Sequence, residues 1–317
     1  MRILIAGGAG YIGSFLIPKL LQRGHSIDVI DLLWFGNSLP GEINVLQKDV
    51  FALHQDDLPR YDRVVFLAGL SNDPMAEYSP AKNFIHNASA PMYLAYLAKL
   101  AGVRRFVYAS SCSIYGNTAE KICDENTPAL SMYPYGISKL HGEQGVMQMA
   151  DNTFSVISLR QGTVSGYSPR MRLDLIVNTM FKSAIQQKEI FVRNPDIWRP
   201  VLALEDASSA FISAIEIDEL ITGIFNVASG NYTVGGVAQQ VISTIKRELS
   251  IDVGLTVSHI QDYRNYRVSI DLAKRVLGFN PVYDIPRIVQ DLIQNREKFS
   301  DFANPNYYNI EVFKSIK

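Results

Sequence analysis

The stretch Arg2-Ile3-Leu4-Ile5-Ala6-Gly7-Gly8-Ala9-Gly10-Tyr11-Ile12-Gly13 decides how this chain folds. Arg2 leads into an apolar run of strand length, glycines follow at G-x-x-G-x-x-G spacing, and residues 11–23 then have helical length with Gly24 as a stop. Strand, glycine turn and helix in that order make a cradle for a phosphate. A Cβ at Gly7 or Gly10 would stand between an anion and the backbone. The helix start at Tyr11 and Ile12 offers unbonded N–H groups and the positive end of the helix dipole. Gly13 allows helix and strand to pack closely. Pro18 falls inside the helix and predicts a kink.

Outward from this unit, residues 26–30, 43–46, 63–67, 104–108 and 154–159 read as further strands. Residues 81–101 and 135–150 read as helices between the later ones. Near-continuous apolar strands alternating with helices predict an α/β protein, a Rossmann-type doubly wound parallel sheet covered on both faces. The second half is less regular, with helices at 173–187, 234–248, 274–277 and 285–299 and a strand at 224–227. That strand looks like a return to the first sheet. The expected division is residues 1–162, with 201–227 returning to them, as the dinucleotide-binding unit. Residues 163–200 and 228–317 form a smaller α/β substrate-binding domain whose polar, aromatic tail, 304–317, packs as an arm.

Composition narrows the function. The 317 residues carry 30 basic and 31 acidic side chains and no basic run, which gives no reason to expect nucleic acid or an anionic membrane as partner. Two cysteines, Cys112 and Cys123, exclude a disulfide framework and point to a reducing, cytoplasmic setting. No apolar run reaches 18 residues, and the first apolar run is too short for a signal-peptide core. The five histidines show no ligand spacing, so no metal is expected.

Two further patterns carry chemistry. Asp31 ends the second strand, eighteen residues after Gly13, where a carboxylate accepts from adenosine ribose hydroxyls and repels a 2′-phosphate; this favours NAD over NADP. Asp49 and Val50, after the third strand, are candidates for the adenine edge. In Tyr135-Gly136-Ile137-Ser138-Lys139 a phenol and an amine share one helix face. An adjacent ammonium is expected to lower the phenol's pKa from about 10 so that it serves as a base. Ser111, in Ser110-Ser111-Cys112-Ser113-Ile114-Tyr115-Gly116 at the end of a strand, points into the ligand crevice and can share a hydrogen bond with the reacting oxygen.

With these motifs in this order, the chain resembles an extended short-chain dehydrogenase/reductase of the nucleotide-sugar epimerase/dehydratase family. The resemblance covers nearly the whole chain. The glycine motif matches Gly7, Gly10 and Gly13, and the cofactor carboxylate matches Asp31, although Leu32 follows it in place of the usual Asn. The strand-four signature matches Leu67-Ala68-Gly69, the helix asparagine Asn87, and the catalytic group Ser111, Tyr135 and Lys139. The segment after the sixth strand matches residues 159–166, with Thr163 where many sugar epimerases carry Asn. The resemblance implies NAD as cofactor, a nucleotide-diphosphate sugar as substrate and a homodimer packed through residues 81–101 and 135–150. On the substrate side it points to Arg199 for the diphosphate. Arg264 or Arg267 is a second candidate, Asn178 can donate to a phosphate or to the sugar, Ser113 and Thr163 are further substrate-binding candidates, and the loop 71–74 borders the sugar. Dehydratases of the family carry an Asp-Glu pair where this chain has Cys112 and Ser113, so elimination is not expected, and Cys112 should face the core. The implied reaction is oxidation of sugar C4 with hydride transfer to NAD, with a 4-epimerase favoured. The alternatives are a C4 dehydrogenase or ketoreductase, such as one acting on a GDP-heptose for polysaccharide biosynthesis, and a non-catalytic dinucleotide sensor.

Overall fold

The computed structural model describes residues 1–259 and 264–316. The strands up to the middle of the chain are β1 (Arg2–Ala6), β2 (Ser26–Asp31), β3 (Asn44–Gln47), β4 (Arg63–Phe66), β5 (Arg105–Ser111), β6 (Asn117–Cys123) and β7 (Ser155–Gln161). Those that follow are β8 (Thr163–Ser165), β9 (Glu189–Arg193), β10 (Trp198–Ala203), β11 (Gly223–Val227), β12 (Gly230–Thr233), β13 (Gly254–Ser258) and β14 (Asn265–Val268). Seven of them form one sheet in the order β11-β7-β5-β4-β1-β2-β3, and every pairing within it is parallel.

The alternation of side chains along β1 shows why both faces are buried. Ile3 and Ile5 pack with helices Gly13–Gln22 and Leu204–Glu216, while Leu4 and Ala6 pack on the opposite face with helix Ala90–Leu100. β11 pairs with β7 at the edge of this sheet. The weave goes further than a returning strand, because Ala273, Leu277 and Phe279 belong to the first of these two cores. A separate core under β9 and β10 gathers helices Ile176–Gln187, Val234–Leu249 and Ile285–Asn295.

Helix Leu204–Glu216 and strands β6, β8–β10 and β12–β14 are not among the expected elements, and three expected features differ. The helix expected over 81–101 is two helices, Pro80–Phe84 and Ala90–Leu100, joined by a π-helical turn at Ile85–Ser89. Pro91 has no N–H to give the carbonyl of Asn87, and that carbonyl accepts the Tyr108 hydroxyl at 3.0 Å instead. The helix Gly13–Gln22 runs unbroken through Pro18. The tail contains a short helix, Asn309–Ser315, whose Phe313 packs with Leu70, Met75, Trp34 and Phe35 beside the first sheet; Lys317, its last expected residue, lies outside the described residues. Among the described residues no helix is long and apolar enough to cross a membrane.

Candidate active site

The C-terminal ends of β1, β2, β4, β5 and β7 open into one cleft of about 510 Å³. The glycine loop forms its floor. Gly7 has φ +78°, and a Cβ there would stand 2.4 Å from the Ala68 amide nitrogen; one on Gly13 would stand 2.2 Å from the Gly8 carbonyl oxygen. These two glycines are demanded by packing as well as by any ligand. Among the described residues, the N–H groups of Tyr11 and Ile12 find no backbone acceptor. Backbone donors at a helix start, with no Cβ over Gly10, fit the diphosphate of a dinucleotide.

Asp31 closes one end of the cleft. Its carboxylate accepts from Ala9 N at 3.0 Å and Leu33 N at 2.8 Å, so it ties the glycine loop to the strand end. Burial raises its pKa, while those two N–H donors pull the other way. A carboxylate has lone pairs left for two ribose hydroxyls. Asp49 caps the turn Val50–Ala52 by accepting from Phe51 N, and both Asp49 and Val50 line the same end. Leu67, Ala68, Gly69, Tyr11 and Ile12 line the cleft between the ends.

At the far end stand the hydroxyls. Ser111 Oγ and Ser113 Oγ lie 2.8 Å apart, and Ser111 is close enough to Tyr135 to favour its ionised form. All three line the cleft, with Thr163, Arg199, Arg264 and Tyr266 around them. Asp73, the first residue of the short helix Asp73–Tyr78 after β4, forms an ion pair with Arg264 at 2.6 Å, and Arg199 lies against the Tyr266 ring.

The electrostatics correct one expectation. Tyr135 is pushed up to about 12, not down, because burial in the cleft wall outweighs the opposing effect of Ser111. Lys139 is more deeply buried and is pulled down to about 7, against an opposing effect of Glu143. Its ammonium donates to Ala109 O at 2.5 Å and lies over the Tyr108 ring. Helical spacing places Tyr135 and Lys139 on one face, but Lys139 points beneath the cleft and does not line it.

Three other candidates also lie behind the wall. Gly13 packs against Gly8. Asn87 is fully buried; its amide donates to Leu70 O, Asn83 Oδ1 and Ser138 Oγ, and its oxygen faces Gly69, where a Cβ would stand 2.2 Å away. Asn178 does not donate into the cleft. Its side chain accepts from Gly166 N and donates to Arg172 O, Gly166 O and Tyr11 Oη, so its hydrogen-bonding capacity is spent holding the segment after β8. Cys112 faces the core as expected and donates to Arg160 O, and burial raises its thiol well above the usual range.

The sequence reading missed Arg170, Arg172, Asp174 and Asn309, all of which line the cleft. Arg172 pairs with Asp174 at 2.8 Å, and that contact holds the Asp174 carboxyl below the usual carboxylate range against its burial. Nothing in local spacing marks these residues, since they reach the cleft only through the packing of the second half and the tail. Among the described residues there is no group of acidic, histidine or cysteine side chains placed to hold a metal ion.

Comparison with known proteins agrees with this arrangement. The model of the NAD dependent epimerase/dehydratase family matches residues 3–228. An uncharacterized UDP-glucose epimerase, YtcB, of Bacillus subtilis is 31% identical over 209 residues, covering 61% of this chain and 65% of that protein. A UDP-glucose 4-epimerase of Erwinia amylovora is 32% identical over 183 residues, 50% of this chain and 52% of the relative. The chain thus spans between about half and 65% of the length of these relatives. The Bordetella bronchiseptica enzyme WbmG, solved in complex with NAD, superposes with a TM-score of 0.79 at 25% identity, covering 98% of this chain and 96% of that one.

Proposed function

The chain belongs to the NAD dependent epimerase/dehydratase family, and from that premise we propose that it is a nucleotide-sugar 4-epimerase. It would oxidise C4 of a nucleotide-diphosphate sugar and restore that carbon on the opposite face. The loop Gly7–Gly13, Asp31, Asp49, Val50 and Leu67–Gly69 would hold NAD, with the glycine loop at the diphosphate and Asp31 at the adenosine ribose. When bound there, NAD supplies a reversible hydride acceptor.

The protein's own part is proton transfer and orientation. Tyr135 Oη takes the proton of the sugar O4 hydroxyl as the carbonyl forms and returns it as the alcohol is restored, and Ser111 Oγ hydrogen-bonds the same oxygen. Lys139, buried beneath on the same helix face, would in its protonated form place a positive charge under Tyr135 in a dry site, although burial disfavours that form. Arg199 and Arg264 face the end of the cleft where the substrate diphosphate would lie.

The observation that carries the epimerase reading is the hydroxyl set Ser111, Ser113 and Tyr135 at the end of β5, without a carboxylic acid poised among them. The nearest cleft carboxylates, Asp73 and Asp174, are engaged by Arg264 and Arg172. Elimination of water needs a further acid or base, whereas C4 inversion does not. Both curated relatives carry names of UDP-glucose epimerases, which makes UDP-glucose the first substrate to try. A homodimer packed through helices Ala90–Leu100 and Pro134–Met147, in the cytoplasm, is part of the same reading, supported by the outward-facing Tyr96 and Leu100.

The test is a panel of UDP-, GDP-, CDP- and dTDP-sugars followed by proton NMR and by absorbance at the NADH band. The expected result is the C4 epimer of one sugar with no net NADH. Net NADH with a released ketosugar would make the enzyme a dehydrogenase. No change with any sugar would refute the enzymatic reading, and equal turnover by Tyr135→Phe would refute the role given to Tyr135.

A further inference from the structure

Arg170 is a buried cation with an unusual lack of counter-charge. It is 4% exposed and lines the cleft between Asp31 and Arg172. One terminal nitrogen donates to Asn309 Oδ1 at 2.5 Å, and its Nε is buried without a partner. Among the described residues no carboxylate closes an ion pair with it. The other buried arginines are provided for: Arg160 by Glu143, Arg172 by Asp174, Arg105 by the carbonyls of Ala214, Ile217 and Glu219, and Arg63 by those of Asp62 and Ile215. Burial without a counter-ion is costly, and it draws the Arg170 pKa down to about 9.

The side chain is nonetheless held in one place. The guanidinium carbon lies 3.8 Å from the centroid of the Phe35 ring, in the loop that follows Asp31. Asn309 presents its oxygen to Arg170 and donates through Nδ2 to Ser71 Oγ at 2.7 Å, so it links the arginine to the loop after β4. A planar donor fork, stacked, braced and lacking an anion, faces a cleft whose floor is a glycine phosphate cradle.

We infer that Arg170 is a second clamp on the diphosphate of the bound dinucleotide, supplied from outside the parallel sheet, and that Asn309 of the C-terminal helix is its positioning residue. This rests on the reading of the cleft as an NAD site. The clamp makes cofactor affinity depend on the second half of the chain and on the tail, neither of which contributes to the glycine loop.

Nucleotide-free protein is titrated calorimetrically with NAD, NADP, ADP and adenosine, for the parent chain and for Arg170→Met, Arg170→Lys and Asn309→Ala, each checked for folding by circular dichroism. A charge-assisted contact predicts that Arg170→Met weakens NAD and ADP by about ten- to a hundredfold and adenosine by less than about twofold. Arg170→Lys should recover part of the loss, and Asn309→Ala should weaken the same two ligands by a few-fold. The inference is overturned if adenosine is weakened as much as ADP, if NAD binds the folded variants unchanged, or if the loss is confined to NADP. Failure of the parent chain to bind NAD at all would instead remove the proposed function.

Discussion

Lys139→Met is expected to make the protein inactive and more stable at once. Lys139 is 5% exposed and has a pKa of about 7 in the folded chain, against 10.5 for an ordinary lysine. The folded pKa is depressed, so between these values the unfolded chain binds the additional proton, and folding stability rises with pH through that window. The burden of the buried charge is roughly 4–5 kcal/mol at pH 6, where the ammonium is forced into the fold, and under about 1 kcal/mol at pH 10. Methionine keeps the length of the stem without the charge. It loses the hydrogen bond to Ala109 O and the contact over the Tyr108 ring, worth about 1–3 kcal/mol together. The net gain should therefore be on the order of 2 kcal/mol near pH 6 and should vanish or reverse near pH 10. Urea denaturation of the nucleotide-free parent and variant, at several pH values, measures the difference directly, because the other titrating groups are common to both and cancel. A variant less stable than the parent at pH 6, or a difference that does not change with pH, would refute the argument that burial dominates this lysine.

Four other variants test contacts elsewhere in the fold. Tyr135→Phe should lower turnover by about 10²–10⁴-fold and leave NAD affinity within about twofold, read by steady-state rates and calorimetry; an equal loss in both would show that the phenol is structural. Gly13→Ala puts a Cβ 2.2 Å from the Gly8 carbonyl oxygen, backbone that cannot swing away, and should cost about 1–3 kcal/mol of stability. Gly41→Ala, with nothing within 4 Å, should be nearly silent in the same thermal melts. Glu143→Leu leaves Arg160 buried without its partner and should destabilise by about 3–5 kcal/mol, measured by chemical denaturation.

How far the site could be read in advance depended on the range of the forces involved. The glycine loop, Asp31, Ser111 and Tyr135 were legible because a strand end or a helix start positions each of them within a few residues. The helix 81–101 was misread at its middle because Pro91 withdraws the N–H that Asn87 O would take, and the hydroxyl that replaces it, Tyr108, comes from a strand further along the chain. Asn178 looked like a ligand from its place near a helix start, yet four groups of the surrounding fold compete for its amide and occupy it. The lysine was identified, but its charge state was not, since spacing on a helix says nothing about how dry the surroundings become.

By itself, the sequence determined the parallel α/β sheet, the glycine turn after its first strand and the chain order of the groups proposed to react. These follow from periodicity, chain stereochemistry and glycine sterics, all of which act locally. Only the tertiary structure decided that Lys139 lies below the cleft with its charge disfavoured, and that Arg170, braced by Asn309 at the far end of the chain, lines the same cleft as the glycine loop. The first depends on desolvation beside Ala109 and Tyr108, one strand back in the chain, and the second on contacts between segments more than a hundred residues apart. Electrostatics in a protein is set by what the fold excludes from water, and that is known only once the fold has closed.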